Sequence, residues 1–307
     1  MSGGLNVDDV FAPTGFHASP DAPRIVVIED KVVNVKEAEG LEISSETEDG
    51  TVRAELRVLP GYEFEEPVHF CVGIPWERGV QRIITRIIVE EGASISLMSH
   101  CSFPRAEDVL HEMEAEIILH KDSSLKVTDV HYHGENGVRL RAVYDVDVGP
   151  GAEYDSSFKI TRGRIGEMEW ISRMRVDEGG VVRADAAMKA VDEDVVDVEE
   201  VVRLVGENAR ASLEFKAAAI DGAEVNVVGE ISGEADGVRG HVECSEIIKG
   251  DGRVSSVPKL RVSHPGARLT HEAALGTIER KEVETLMARG LTEEEAVDLL
   301  VEAMLRG

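Results

Sequence analysis

The sequence is poor in aromatic side chains, which make up 4% of its 307 residues, whereas apolar residues make up 42%. A core of this composition must be filled with valine, isoleucine, leucine and alanine instead of rings. Tight packing of small branched side chains is typical of sheet-rich repetitive folds, so the composition favours a solenoid over an aromatic-centred sandwich.

Positive charge is also scarce. The chain has 33 lysine and arginine residues against 60 aspartate and glutamate residues, which gives a net charge of −27. Nonspecific binding to nucleic acids or to anionic membranes needs a basic patch, so this balance argues against both functions. The acidic residues are spread along the chain instead of forming a tail, which is typical of a solvated surface.

Cysteine is rare and long apolar runs are missing. The three cysteines, Cys71, Cys101 and Cys244, have no paired spacing and predict no disulfide framework. No apolar run approaches the ~20 residues of a membrane span. The stretch MSGGLNVDDV has neither the basic start nor the apolar segment of a signal peptide. We therefore expect a cytoplasmic protein in a reducing compartment.

A repeat with strand-like content runs from about residue 90 to about residue 270. Small turn residues precede alternating apolar positions at intervals near 28 to 30 residues, with half intervals of 14. The anchoring turn residues are Gly92, Ser124, Gly151, Gly180, Asn208, Gly222, Gly252 and Gly266. This period predicts a mainly β fold, a parallel β-helix over residues 61–275. The rival structure is an antiparallel sandwich with closely spaced hairpins.

The flanks of the repeat have different patterns. Residues 1–35 are punctuated by proline and glycine, and residues 41–90 hold irregular strands that begin the coil. We therefore expect a partly irregular amino-terminal region over residues 1–60. Residues 276–307 change to a helical period, and Thr292 opens a capping box for the second of two short amphipathic helices. Such helices either pack on the end of the coil or dock a partner.

The main chemical candidate is Cys244, in the polar stretch HVECSEIIKG. A lone cysteine in a strand is commonly an inert core residue, but the neighbours of this one are polar. His271 and Glu272 follow 27 and 28 residues later, about one coil period, so one of them should lie beside Cys244 on the adjacent coil. Because neighbouring strand residues point to opposite faces, only one of the two shares its face, and the sequence leaves open which.

A thiolate with an imidazole suits an iron–sulfur species or zinc, whereas a carboxylate is a harder ligand. Two ligands cannot close a four-coordinate site. We therefore expect completion by a second chain, or a transient and exchangeable cluster, instead of a closed structural zinc site.

Other candidate groups give weaker signals. The stretches HFC, at residues 69–71, and SHC, at residues 99–101, are interpreted as ordinary strand residues. His131 and His133 share one strand face, but with no third ligand in sight we interpret them as solvated. No P-loop, G-x-S-x-G elbow or dinucleotide fingerprint is present, so ATPase or hydrolase chemistry has little support.

Residues 241–305 combine the cysteine, the His-Glu pair and the helical tail, and they resemble the carboxy-terminal region of SufB and SufD proteins. These are scaffold subunits of the Suf machinery for iron–sulfur cluster assembly. The positions that match the family pattern are Cys244, Pro258, His271, Glu272, Ala273, Arg289, Gly290, Glu293 and Glu294. More weakly, EEPVHFCVG at residues 65–73 looks like the stretch leading into the coil. The chain departs from the family at Ser245, where aspartate is usual, and at Glu284-Thr285, where an aromatic pair is usual.

The resemblance implies a right-handed parallel β-helix that acts as a scaffold without enzymatic activity of its own. By carry-over, Cys244 would accept sulfur and ligate a transient [4Fe-4S] cluster, with Glu272 or His271 as co-ligand. The tail would bind the ABC-type ATPase SufC. The residues expected to contact SufC are Leu286, Met287, Arg289, Gly290, Ala296 and Leu300.

The resemblance also implies a dimer, either with a second copy or with a SufB or SufD paralogue, and contacts with a sulfur donor and apo-protein acceptors. A flavin takes part in some bacterial complexes, but no motif in this sequence supports one. Two other functions stay open from the residues alone: a β-helix enzyme acting on polysaccharide, and a structural metal-binding protein.

Overall fold

Parallel strands alternate between two sheets as the chain winds around a common interior. The computed structural model describes residues 7–17, 19 and 21–306. The strands form a solenoid of about 8 turns, with short helices at both ends of the chain. The prediction of a mainly β parallel β-helix is therefore confirmed.

The first sheet, sheet A, has ten strands, and the second, sheet B, has nine. Sheet A contains β1 (Arg24–Ile28), β2 (Lys31–Lys36), β5 (Val68–Gly73), β7 (Ser94–Ser102), β9 (Ser124–Tyr132), β11 (Glu153–Ile160), β13 (Val181–Val191), β15 (Arg210–Ile220), β17 (Arg239–Lys249) and β19 (Arg268–Thr277). Sheet B contains β3 (Leu41–Glu48), β4 (Thr51–Val58), β6 (Arg78–Val89), β8 (Asp108–Leu119), β10 (Val138–Val148), β12 (Gly166–Val176), β14 (Val195–Leu204), β16 (Glu224–Gly233) and β18 (Arg253–Val262). From β5 onward each strand pairs in parallel with the strand two places further along the chain.

Tight turns set the repeat length. Successive strands of sheet A begin at residues 94, 124, 153, 181, 210, 239 and 268, which confirms the predicted period. The turns place Gly92, Gly151 and Asn208 in the left-handed backbone region, with φ of 68°, 67° and 60°. Glycine reaches this region without steric cost and asparagine tolerates it, so small and polar turn residues mark the repeat in the sequence.

The core fills the space between the sheets. Buried and exposed residues alternate along the strands, as in β10 and β12, because successive side chains point to opposite faces. Three of the aromatic residues pack together in the interior, where Trp170 stacks on Tyr144 at 4.6 Å between ring centroids and lies 4.5 Å from Phe158. Aliphatic side chains and alanine fill most of the remaining interior, as the composition predicts.

The amino-terminal end of the solenoid is closed by two antiparallel hairpins, β1–β2 and β3–β4. Helix α1 (Val7–Phe11) and a 3₁₀ helix (Ala12–Thr14) cover the outer face of sheet A near β5 and β7. The sequence around β1 and β2 is loosely patterned, yet it forms regular strands because β1 gains a parallel partner in β5. Residues 1–6 of the expected amino-terminal region lie outside the described residues.

Helices α2 (Arg280–Met287) and α3 (Glu293–Arg306) follow the last strand. Their apolar residues pack on the outer face of sheet A, against Ala187, Ala218 and Ile220, and not on the end of the coil. The predicted capping box is present: the Thr292 hydroxyl accepts from the Glu295 backbone N–H, and the Glu295 carboxylate accepts from the Thr292 backbone N–H. No helix in the described part of the chain is long and apolar enough to cross a membrane.

Candidate functional site

Cys244 lies on the inner face of β17, one strand from the carboxy-terminal end of sheet A, and is 1% exposed. Its neighbours on the flanking strands are Phe215 of β15 and Ala273 of β19. The alternation of inward and outward side chains along β17 explains this position: Val242 also points inward, while Glu243 between them points outward.

The pairing register decides which predicted partner shares a face with Cys244. Each coil here has 29 residues, so the direct neighbour of Cys244 is Ala273, and not residue 271 or 272 as expected. His271 pairs with Val242 and therefore lies on the inner face with Cys244. Strand spacing places their Cα atoms about 8 Å apart. Glu272 pairs with Glu243, so it lies on the opposite face of the sheet.

Two polar groups that sequence reasoning missed lie beside the cysteine. Glu246, two residues further along the same face of β17, is 1% exposed, and neither of its carboxyl oxygens has a hydrogen-bond partner among the described residues. Ser256 faces it from β18, and its buried hydroxyl lies near both Cys244 and Glu246 without a well-formed hydrogen bond to either. The only signal in the sequence is the spacing of two residues between Cys244 and Glu246, which puts both side chains on one face.

Burial shifts the pKa values of both Cys244 and Glu246. It raises the pKa of the Cys244 thiol above its ordinary value, an effect that the Ser256 hydroxyl opposes and the charges of Glu246 and Glu243 reinforce. Burial likewise raises the pKa of Glu246, again opposed by Ser256. Burial therefore disfavours the charged thiolate form of Cys244. A cation that displaced the thiol proton would bind that thiolate and stabilise it.

The end of the solenoid above Cys244 is open. Strands β18 and β19 each have a partner on one side only, and helices α2 and α3 lie beside sheet A instead of covering this end. The inner face of the last coil is consequently accessible: His271 is exposed, Leu275 is 63% exposed, and Val262 on β18 is 55% exposed. Apolar groups that face the core elsewhere in the solenoid lie here at the surface.

The residues predicted to contact an ATPase occupy different environments. Arg289 and Gly290 are exposed at the turn between α2 and α3, and Met287 beside them is 42% exposed. Leu286 and Leu300 are half-buried against sheet A. Ala296 is fully buried there, so it packs the helix onto the sheet and presents no surface to a partner.

The weaker histidine and cysteine candidates are buried. His69 and His100 stack at 5.6 Å between ring centroids beneath Phe16, and burial raises the pKa of nearby Cys71 to about 12. The interpretation of His131 and His133 as a solvated face is wrong, because both point into the core; their exposures are 4% and 0%. Their partners include each other and Asp129 on the same strand, together with Cys101 and the Ile165 carbonyl group from neighbouring coils.

Comparison with known proteins agrees with this architecture. Residues 77–304 match the SufBD core domain of the SUF system for iron–sulfur cluster assembly. The chain is 39% identical over 284 residues to an iron–sulfur cluster assembly SufBD family protein of Methanocaldococcus jannaschii, covering 92% of this chain and 90% of that one. It is 35% identical over 281 residues to a family member of Pyrococcus horikoshii, covering 92% and 86%. This chain therefore belongs to the SufBD family of iron–sulfur cluster assembly proteins.

Proposed function

We propose that the chain is a scaffold subunit on which an iron–sulfur cluster is assembled at Cys244 and then passed to apo-proteins. The observation that carries this proposal is the position of Cys244, one strand below an open end of the solenoid and on the same face as an exposed histidine. The cluster is the cargo of the site and leaves it, so an open and incomplete ligand set suits the task better than a closed one.

A second chain supplies the missing ligands in this proposal. The unpaired edge of β19 has no proline over its ten residues, so another strand can pair along it. Strand β18 contains Pro258, which lacks a donor, so β19 is the better edge for such pairing. Two copies related by a two-fold axis would bring both Cys244 thiols toward one interface, and a SufB or SufD paralogue could take the same place.

Within one chain the geometry favours His271 over Glu272 as the co-ligand of Cys244. His271 shares the inner face, and its imidazole is exposed, whereas Glu272 lies on the other side of the sheet. Glu246 adds a buried carboxyl group on the same face of β17.

The segment 276–307 is proposed as the docking site of SufC in a cytoplasmic complex, and ATP hydrolysis is assigned to that partner and not to this chain. The exposed corner formed by Met287, Arg289 and Gly290 is the surface available for that contact. Since α3 is packed on sheet A through Val297 and Val301, movement of the corner would be transmitted to the last coils.

The test is anaerobic reconstitution with iron and sulfide, followed by iron and sulfide analysis and visible absorption. We expect a brown, oxygen-sensitive chromophore in the parent, at least a tenfold loss in Cys244→Ser, and a larger loss in His271→Ala than in Glu272→Gln. Cys71→Ser is the matched control, since it removes a buried thiol from the opposite end of the solenoid. Full reconstitution of Cys244→Ser, or stoichiometric zinc without sulfide in the parent, would contradict the proposal.

A further inference from the structure

A second group of metal-ligating side chains lies inside the solenoid, far from Cys244. Cys101 of β7 and His131 of β9 are direct neighbours in the parallel ladder, and Asp129 lies two residues before His131 on the same inner face. Their exposures are 0%, 4% and 4%. Five strand spacings of about 4.8 Å separate β7 from β17, so the group lies about 24 Å from the cluster site.

The spacing of the three ligand atoms fits one ion. Cys101 Sγ lies 3.8 Å from Asp129 Oδ1, and His131 Nε2 lies 3.3 Å from Asp129 Oδ2. One ligand atom from each residue can be chosen so that all lie within 4.8 Å of one another. These two distances involve different oxygens of Asp129, so its carboxylate lies between the thiol and the imidazole and can offer an oxygen to an ion that both bind.

The partners of the histidines determine where their protons are. His133 Nδ1 lies 2.9 Å from the Ile165 carbonyl oxygen, which can only accept, so this nitrogen carries a proton. In a neutral imidazole only one nitrogen carries a proton, so Nε2 of His133 accepts. His131 Nδ1, 3.1 Å from that nitrogen, must therefore donate. This arrangement leaves His131 Nε2 facing Asp129.

The contact between His131 Nε2 and Asp129 is close, but it is not a well-formed hydrogen bond. A lone pair on His131 Nε2 would face this carboxylate at 3.3 Å, which is repulsive unless a proton or a metal ion lies between them. The nitrogen makes no hydrogen bond of acceptable geometry to any described residue, which disfavours a bridging proton.

The surroundings leave room for a fourth ligand. His111 of β8 is fully buried, interacts electrostatically with both His131 and Asp129, and has no hydrogen-bond partner for either ring nitrogen among the described residues. A cavity of about 30 Å³ borders the group on the side of Asp129, where Ser99 also lines it, and can hold one or two water molecules; Cys101 and His131 do not line it.

We propose that Cys101, Asp129 and His131 bind a divalent transition metal ion such as zinc, with water as the fourth ligand. A thiolate and a carboxylate together carry two negative charges, so a divalent cation makes this buried site neutral overall. Imidazole, thiolate and carboxylate are all known zinc ligands, and their mixture does not suit calcium or magnesium. Because the ion would join β7 to β9, it would stabilise the first coils of the solenoid. This proposal does not rest on cluster assembly at Cys244.

Cobalt is the spectroscopic probe. The full chain is produced in cobalt-supplemented medium, so that the ion is present while the protein folds, and bound metal is then counted. We expect one cobalt ion per chain, a thiolate-to-cobalt charge-transfer band in the near ultraviolet, and visible bands of tetrahedral intensity. Zinc supplied instead should occupy the site at the same stoichiometry without colour.

Matched variants separate this site from the cluster site. Cys101→Ser should lose the charge-transfer band, and Asp129→Asn should lose at least tenfold in bound cobalt, while Cys71→Ser and Cys244→Ser retain both signals. Circular dichroism checks that each variant is folded; if Cys101→Ser does not fold, Asp129→Asn and the metal content of the parent decide. A folded parent that holds neither cobalt nor zinc, or a band that persists in folded Cys101→Ser, would overturn the proposal.

Discussion

At the scale of the residue, the solenoid interior carries ionisable groups that an all-aliphatic core would exclude. Glu200 on β14 is 6% exposed, and its Oε2 has no hydrogen-bond partner among the described residues. Burial, reinforced by the charge of Asp185, raises the pKa of Glu200 to about 7 from its ordinary 4.5. The ionised form is therefore disfavoured in the folded protein.

This shift predicts a pH dependence of stability. A carboxyl group whose folded-state pKa lies above its unfolded value stabilises the fold at low pH, and this stabilisation is lost as the pH rises from about 4.5 through about 7. Glu200→Gln should therefore gain on the order of 3 kcal/mol relative to the parent between pH 4.5 and pH 8. Denaturant unfolding at both pH values measures this change. The exposed neighbour Glu199→Gln should show no such trend; equal trends in the two variants would contradict the assignment.

At the scale of the element, a single aspartate joins a turn to a loop of the neighbouring coil. Asp194, just before β14, is 0% exposed and accepts from the backbone N–H groups of Ile165, Gly166 and Val191 at 2.9–3.0 Å. It also accepts from Arg164 Nε at 2.9 Å. This carboxylate fixes the ends of β12 and β14 relative to each other.

Removal of this carboxylate should be costly. Asp194→Ala leaves three backbone donors without their acceptor and removes the buried carboxylate partner of Arg164, so we expect a loss of about 3 to 5 kcal/mol in the free energy of unfolding. The matched control is Glu193→Ala, which removes an exposed partner of Arg164 and should change stability by less than about 0.5 kcal/mol. Urea titration compares the two; similar small losses would show that the Asp194 contacts contribute little.

At the scale of the whole molecule, the open end determines how copies associate. If β19 pairs with a second chain, the parent should be a dimer in solution. Leu275→Glu places a charge on the exposed inner face of β19 and should yield monomers, whereas Leu299→Glu on α3 should remain dimeric. Size-exclusion chromatography with light scattering measures the mass of each. A monomeric parent at micromolar concentration would rule out the self-paired form.

The sequence predicts the solenoid well because its turns repeat, but it cannot give the exact register. The difference between 27, 28 and 29 residues decides whether residue 271, 272 or 273 is the direct neighbour of Cys244, and turn lengths vary by that much from coil to coil. The helices were predictable from their period and capping box. Their position beside sheet A depends on small residues such as Ala187 and Ala218, which lie far away in the chain.

The interior metal-ligating group was only partly visible in the sequence. Asp129 and His131 lie two residues apart on one strand, but the sequence does not show that their face points inward, and Cys101 joins them from the preceding coil, 30 residues earlier. Once the register is known, the ladder places these side chains next to each other.

The two hairpins at the amino-terminal end have a consequence for how large an assembly can grow. A solenoid with both ends bare could add copies indefinitely and form a filament. Here β2 and β3 turn antiparallel and carry charges such as Lys31, Lys36 and Glu46, which discourage further stacking. Copies can then associate only through the carboxy-terminal end of the solenoid. Association stops once two such ends have paired, so the architecture favours a closed dimer.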